Sequence, residues 1–349
     1  MPEDASSIKA VVFFFHGYGG HNSYISKLWY GKYLSERGMA VVMPDLVGHG
    51  YSEGTRAYVN SWQHWIDDHR MLIGLVCDAA ATAAANGTEF NLGFTEQQRS
   101  ALARVPYFLT GESLGGAQAI ALGLRLQDEE AGVARRFAGA CVIAPGIKGN
   151  PPPKPVVAAL RYLIAPLVPY REIPKALDSV FLPEKAWLRP EDREGCLQDG
   201  WGSLGWGKQM RFRMGLNMLD QAQYVESSLH KVRFPFLSLH DPEDVIVLYE
   251  GSQLLSEKAA TPPDEGGAPS RSRELQPMKG CLHDMLTNAC LLVSERVHDW
   301  IDHRVALAAA AAGNNGGESS AENGSGSSGA AAAAEDVTPE LAAAAAATD

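Results

Sequence analysis

Ser113 stands in Gly111-Glu112-Ser113-Leu114-Gly115, a G-x-S-x-G spacing. A serine hydroxyl attacks carbonyl carbon only when a base removes its proton and an acid orients that base. The flanks of the motif suit this use. Tyr107–Thr110 is a short apolar, strand-like run, and Gly116-Ala117-Gln118-Ala119-Ile120-Ala121-Leu122 opens a helix. A strand-to-helix turn this tight forces the serine into a strained backbone conformation, and Gly111 and Gly115 relieve the crowding around it. The hydroxyl is then lifted above the sheet, near the positive end of a helix. An ordinary serine in a glycine-rich turn would need neither flank.

In a strand–turn–helix of this kind the partners follow in the order Ser, Asp or Glu, His. Asp241 and Asp244 both follow a strand-like run, and the residues alone leave the acid open between them. Three histidines lie farther on. His298 and His303 fall in Ser294–Val305, a terminal helix where a surface position explains them. His283 lies in the loop Lys279–Asp284, just past the last strand, which places it at the sheet edge of Ser113 and makes it the expected base. The tetrahedral intermediate of acyl transfer needs N–H donors, each worth about 3–4 kcal/mol in the transition state. Leu114 N–H, after the nucleophile, supplies one. The loop His16-Gly17-Tyr18-Gly19-Gly20 supplies the other at Tyr18 N–H, its glycines letting the backbone approach substrate. His16 precedes the turn without an acid neighbour and is expected to brace the loop. No histidine pair has metal-ligand spacing such as H-E-x-x-H, no cysteine is placed as a nucleophile, and the chemistry asks for no cofactor.

The elements that must hold these groups alternate between strand and helix, as in a parallel sheet covered by helices. The strand candidates are Ala10–Phe15, Ala40–Met43, Tyr107–Thr110, Ala140–Ile143, Phe236–Leu239 and Glu274–Met278. The rhythm breaks between Gly146 and Val232, so residues 1–145 and 233–305 are expected to form one core and 146–232 an inserted, mainly helical cap. Trp62, Trp65 and Trp300 sit at helical spacing and belong to the core. Trp201 and Trp206, among glycines of the cap, are candidates for the substrate pocket or its entrance. Asn86–Arg104 and Thr261–Ser272 read as loop insertions. Residues 306–349 are mostly Ala, Gly, Ser and Asn, with no basic or aromatic residue and almost no large apolar one, too little to offset ordering entropy, and are expected to be a disordered tail.

Among 349 residues, 30 basic and 41 acidic ones give a net charge of −11, which argues against nucleic acid as a partner. The charge is uneven. Residues 147–233 carry 13 Lys and Arg against 9 Asp and Glu, a net of +4, while the rest is negative. A cationic cap with the apolar run Val156–Pro169 could rest on an anionic lipid surface, or that run could pack inward over the pocket. Five cysteines without a CxxC pair fit a reducing compartment, and Met1-Pro2-Glu3-Asp4 lacks the order of a signal peptide. With no apolar stretch long enough to span a bilayer, a cytosolic chain is expected, peripheral on membranes or lipid droplets at most.

His16-Gly17-Tyr18-Gly19, Asp45-Leu46-Val47-Gly48-His49-Gly50-Tyr51-Ser52-Glu53-Gly54, Gly111–Gly116 and Gly280-Cys281-Leu282-His283 together span most of the region expected to fold. On these stretches the chain resembles the monoacylglycerol lipase and lysophospholipase branch of the α/β-hydrolases, the plant-type members with a serine aminopeptidase S33-like domain. The resemblance implies an α/β-hydrolase fold with helices on both sheet faces. It also implies hydrolysis of a single-chain acyl ester, foremost monoacylglycerol, by a Ser–Asp–His triad beneath a cap. The family's His-Gly-x-x-Asp-x-Val pattern falls on His240-Asp241-Pro242-Glu243-Asp244-Val245-Ile246, so Asp244 matches the catalytic aspartate and Asp241 replaces a glycine. Relatives carry two strands before the His-Gly strand. Only nine residues precede Ala10 here, so missing edge strands and reduced stability are expected. Lysophospholipase, hydroxycinnamate-type esterase and thioesterase are the enzymatic alternatives, and a ligand-binding receptor on a hydrolase fold is the non-enzymatic one.

Overall fold

The computed structural model describes residues 1–2, 4–78, 92–129, 132–174, 183–202, 204–264 and 270–315. All six side chains of β1 (Ala10–Phe15) are apolar and buried. Alternate ones enter opposite layers, as the two-residue period of a strand demands. Val11, Phe13 and Phe15 join a cluster with Trp65 and Leu109, and Ala10, Val12 and Phe14 join one with Tyr30, Phe108 and Trp300. A strand apolar on both faces belongs in the middle of a parallel sheet.

The chain runs from β1 through α1 (Ile25–Ser35) to β2 (Met39–Val42), then through α2 (Trp62–Cys77) and α3 (Glu96–Leu102) to β3 (Tyr107–Glu112). α4 (Leu114–Leu126) leads to β4 (Phe137–Ile143). The long segment after it carries α5 (Lys154–Ala159), α6 (Pro183–Ala186), α7 (Pro190–Gly202) and α8 (Phe212–Ser228). The chain closes with β5 (Phe236–His240), α9 (Glu250–Lys258), β6 (Arg273–Pro277), α10 (Met285–Asn288) and α11 (Cys290–Asn315). The strands form one sheet of order β2-β1-β3-β4-β5-β6, every neighbouring pair parallel. The six expected strands are all present, with ends moved by a few residues.

The order carries functional information. From β1 the chain first moves to one side, to β2, and then returns to the other, to β3. Such a reversal opens a crevice beyond the carboxyl ends of the two central strands, where ligands of open α/β sheets bind. Phe15 of β1 pairs with Gly111 of β3, so the loop beginning at His16 and the turn at Ser113 emerge side by side. α8 is the long helix of the 146–232 segment that joins the covering layer, with Ile147, Met210, Leu229 and Val232 beside it in the cluster. Its Met214 and Val225 belong to the same cluster as Val11 and Phe13.

Two expectations need correction. The Asn86–Arg104 stretch is not all loop, because α3 lies within it, started by a capping box between Thr95 and Gln98. Residues 86–91 of that stretch lie outside the described residues. The expected tail is not disordered from residue 306, because α11 continues through Asn315, as alanine's helix propensity favours. Residues 316–349 lie outside the described residues. No helix of the described residues is long and apolar enough to cross a membrane.

Trp300 shows how α11 is fastened to the sheet. It is fully buried, meets the Phe108 ring edge-on at 6.0 Å, and donates from Nε1 to Arg271 O at 2.9 Å. The indole fits because Gly139 faces it: a Cβ there would lie 2.8 Å from Trp300 Cη2. Trp300→Ala should destabilise the protein by about 3–5 kcal/mol. A guanidinium unfolding midpoint unmoved by the substitution would contradict this packing role.

Candidate active site

Ser113 links β3 to α4 with φ 52° and ψ −117°. This is a conformation that a residue with a side chain adopts only under strain, of order 1–3 kcal/mol. The surroundings fix it. Ser113 N–H donates to Ile143 O at 2.9 Å, and Ser113 O accepts Gly146 N–H at 2.8 Å and Ala117 N–H at 3.2 Å. The two motif glycines are required by space. A Cβ on Gly111 would lie 2.5 Å from Gly115 C, and one on Gly115 only 2.0 Å from Phe15 O.

His283 approaches from the loop after β6. Leu282, just before it, has φ 54°, and Asp284, just after it, caps α10 by accepting Thr287 N–H at 3.1 Å. The ring lies between two of the expected partners. His283 Nδ1 is 2.6 Å from Asp244 Oδ2, and Nε2 is 3.0 Å from Ser113 Oγ. A carboxylate only accepts, so Nδ1 carries the proton and Nε2 is free to accept from the serine hydroxyl. Burial pulls the His283 imidazole down, but the hydrogen bond and charge of Asp244 outweigh it and set the pKa above the ordinary value.

The loop after β5 separates its two carboxylates. Asp244 Oδ1 accepts the N–H groups of Ile246 at 2.8 Å and Val247 at 3.1 Å, leaving Oδ2 for His283. A second ring reaches the same oxygen, His240 Nε2 at 3.3 Å. His240 Nε2 also faces Val247 O at 3.1 Å, so it bears the proton, and Nδ1 accepts from Ser252 Oγ at 2.7 Å. Burial alone would raise Asp244, but hydrogen bonds from His240 and His283, with the charge of His283 and the Val247 N–H, hold it well below the usual carboxylate range. Asp241 turns away. Its Oδ1 accepts Glu243 N–H at 2.9 Å and its Oδ2 accepts Leu282 N–H at 2.7 Å, tying this loop to the one that carries His283.

Tyr18 and Leu114 lie on the two chain segments next to Ser113. Tyr18 follows the end of β1, where a Cβ on Gly17 would sit 3.4 Å from Ser113 Cβ, and Leu114 opens α4. His16 lies behind this loop, fully buried, donating from Nδ1 to Gly17 O at 2.8 Å and accepting Leu46 N–H on Nε2 at 3.0 Å. The Asp45–Gly54 block supports the loop from outside. Asp45 accepts Asn22 N–H at 2.7 Å and Tyr51 N–H at 2.9 Å, and Gly50 leaves room for its carboxylate.

Two cavities meet at Ser113. The larger, about 330 Å³, is lined by apolar groups that include Leu114, Val157, Leu160, Phe212 and Val247. The smaller, about 170 Å³, is lined by Tyr24, Lys27, Glu112, Trp187, Trp206 and His283 among others. Met210, Met218 and Ile246 border both. Trp206 is tied to the site through its N–H, which donates to Gly19 O at 2.7 Å. The side chain of Trp201 lies outside the described residues. The pair Lys27–Glu112 is the feature that sequence reasoning missed. Glu112 occupies the variable position of the serine motif, whereas Lys27 has no local signature. Among the described residues no cluster of three or more His, Cys, Asp and Glu side chains could hold a metal ion.

With this geometry in view, comparison with known proteins gives a consistent placement. The profile of the serine aminopeptidase S33 family matches residues 6–289. The monoglyceride lipase of Rattus norvegicus is 25% identical over 307 residues, covering 86% of this chain and 84% of that protein. The caffeoylshikimate esterase of Arabidopsis thaliana is 25% identical over 312 residues, covering 87% and 81%. Among solved structures, a soluble variant of the Saccharomyces cerevisiae monoglyceride lipase, in complex with a substrate analog, shares the fold with a TM-score of 0.61 at 17% identity, over 85% of this chain and 87% of that chain. The chain belongs to the serine aminopeptidase S33 family, with the parallel sheet and flanking helices of an α/β-hydrolase.

Proposed function

We propose that this chain, a carboxylic ester hydrolase by family and relatives, cleaves monoacylglycerol to glycerol and fatty acid through an acyl-enzyme. The observation that carries this reading is the hydrogen-bonded series Ser113–His283–Asp244, standing where two mainly apolar cavities meet, the smaller one holding the Lys27–Glu112 pair. Ser113 Oγ attacks the ester carbonyl while His283 Nε2 takes its proton. Asp244 keeps His283 in the Nδ1–H form and stabilises the imidazolium. The N–H groups of Leu114 and Tyr18 receive the oxyanion. His283 then returns the proton to the departing alcohol, and water cleaves the acyl-enzyme by the same steps in reverse. The larger cavity suits an acyl chain and the smaller one an alcohol.

The likeness to the caffeoylshikimate esterase supports a second reading, in which aromatic acyl groups fill the cavity. A panel of monoacylglycerols, lysophospholipids and hydroxycinnamate esters separates the readings by kcat/KM, with the monoacylglycerols expected to lead. Ser113→Ala should remove nearly all turnover, and Asp244→Asn should lower kcat by about four orders of magnitude. Asp241→Asn should do less damage. A larger loss from Asp241→Asn than from Asp244→Asn would reverse the assignment of the acid.

The base must be neutral to act, so activity falls as pH drops through the pKa of His283. That pKa is raised, so the acid limb of kcat/KM should lie above the ordinary imidazole value of about 6.5. In Asp244→Asn the raising charge is gone, and the limb should move down. Rates of labelling by a fluorophosphonate follow this even where turnover is slow. A wild-type midpoint below the ordinary value would count against the coupling.

The cap segment also supports contact with a lipid surface. Val157 and Leu160 face the larger cavity, while Tyr162, Leu163 and Leu167 are 73%, 66% and 82% exposed. One short stretch thus lines the pocket and presents apolar side chains outward, in the cationic part of the chain. Flotation with anionic vesicles at low salt should carry the protein upward, less so at high salt. No flotation at low salt would refute the contact.

A further inference from the structure

Lys27 is among the largest fully buried side chains of the protein. It projects from α1, and its ammonium lies 2.6 Å from Glu112 Oε1, with side-chain exposures of 2% and 14%. Burying an ion pair stabilises a fold no better than well-packed apolar groups of the same volume. The position of this pair is informative. Glu112 directly precedes Ser113, and both members of the pair line the smaller cavity that Ser113 and His283 also border. Much of the remaining wall is aromatic, with Tyr24, Trp187 and Trp206. A mainly apolar wall with a few placed polar groups is how a small-molecule site fixes orientation and specificity.

The other charged groups at this cavity are otherwise engaged. Asp284 accepts Trp187 Nε1–H at 2.7 Å and Thr287 Oγ1–H at 3.0 Å, and Lys208 stands over the Trp206 ring at 5.5 Å. Glu112 Oε1 also takes the Gly17 N–H at 3.4 Å, which leaves Oε2 as an acceptor. An ammonium has three N–H donors, and Glu112 occupies one direction. Burial pulls Lys27 down, but the charges of Glu112 and Asp284 and the hydrogen bond to Glu112 outweigh it and raise its pKa, while burial raises Glu112 against the charge of Lys27. A donor and an acceptor side by side, with no net charge between them, match a group that accepts and donates at once. A hydroxyl does this; a methyl, a carboxylate or a quaternary ammonium does not.

We infer that the Lys27–Glu112 pair is the specificity element for the alcohol half of the ester, reading the free hydroxyls of a neutral polyol. This rests on the ester-hydrolase reading above and adds to it the groups that select glycerol. An alcohol without a second hydroxyl would cover the pair without satisfying it, and discrimination follows from those unpaired groups.

The test compares kcat/KM for a monoacylglycerol with that for the ethyl ester of the same fatty acid, so that the acyl side is constant. Wild type should favour the glyceryl ester. In Lys27→Met, and in the double variant Lys27→Met with Glu112→Gln, the ratio of the two should fall by about tenfold or more. The double variant leaves no uncompensated buried charge, so it answers even if the single variant fails to fold. A double variant that keeps the wild-type ratio overturns the inference, as does one that loses both esters equally, because the pair would then serve the fold or the nucleophile. A wild type that cleaves ethyl esters but not monoacylglycerols overturns instead the substrate reading on which the inference rests.

Discussion

At Gly115 the first turn of α4 presses so closely on the end of β1 that an added Cβ would lie 2.0 Å from Phe15 O. Much of the site depends on that contact. It requires glycine at 115, brings the helix N-terminus against the loop after β1, and leaves Ser113 between them at φ 52°. The strain is held by neighbours with no role in the chemistry. Ile143 at the end of β4 accepts the Ser113 N–H, and Gly146 and Ala117 donate to its carbonyl. The turn therefore costs little extra flexibility, because a buried parallel sheet fixes both of its ends. The same close approach brings the loop that carries Tyr18 beside Ser113.

On the acidic side the constraint is electrostatic. A buried carboxylate is tolerated only where donors surround it. Asp244 has two backbone N–H groups on one oxygen and two imidazoles on the other. His240 has no path to the serine, yet it shares Asp244 Oδ2 with His283 and is itself held through Ser252 to Ser238. Asp241 does different work three residues away. It fastens Leu282, whose left-handed backbone conformation turns the chain into His283. Two carboxylates that look interchangeable in sequence thus divide into one that touches the ring and one that secures the loop carrying it.

The parts legible in the sequence are those whose physics is local. Five apolar runs and the more polar edge run Glu274–Met278 announce a parallel sheet, and G-x-S-x-G between strand and helix announces the turn. His283 follows from its place after the last strand. The choice between Asp244 and Asp241 was not local. It needed a family resemblance, because only the folded loop shows which carboxylate faces the ring. Lys27 was illegible for a similar reason. On α1, a few residues before the exposed Lys32, it reads as another solvated cation, and its partner is 85 residues away in the chain. α3 was missed for the opposite reason. The capping box at Thr95 and Gln98 is a local signal, but the polar composition around it masked it.

Placing the charges at strand ends has a consequence for how the site keeps its shape. Ser113, Asp244 and His283 come from three different loops, each anchored to a strand of the same sheet. Their mutual distances are set by the spacing of those strands, so the Ser113–His283–Asp244 geometry is a property of the sheet. The two cavities are not. The wall of the larger comes largely from the segment between β4 and β5, through Val157, Leu160 and Phe212, and that segment adds Trp187 and Trp206 to the smaller. That segment holds to the core through α8 and through single contacts such as Trp206 N–H to Gly19 O. Lys27 and Glu112 belong to the part of the smaller cavity's wall that the core supplies, with Tyr24, His283 and Asp284. The pair reaches it from α1 and β3, elements of the same core that carries Ser113. On the proposed reading, a selector for the alcohol built there would keep its register with Ser113 however the walls of the larger cavity adapt.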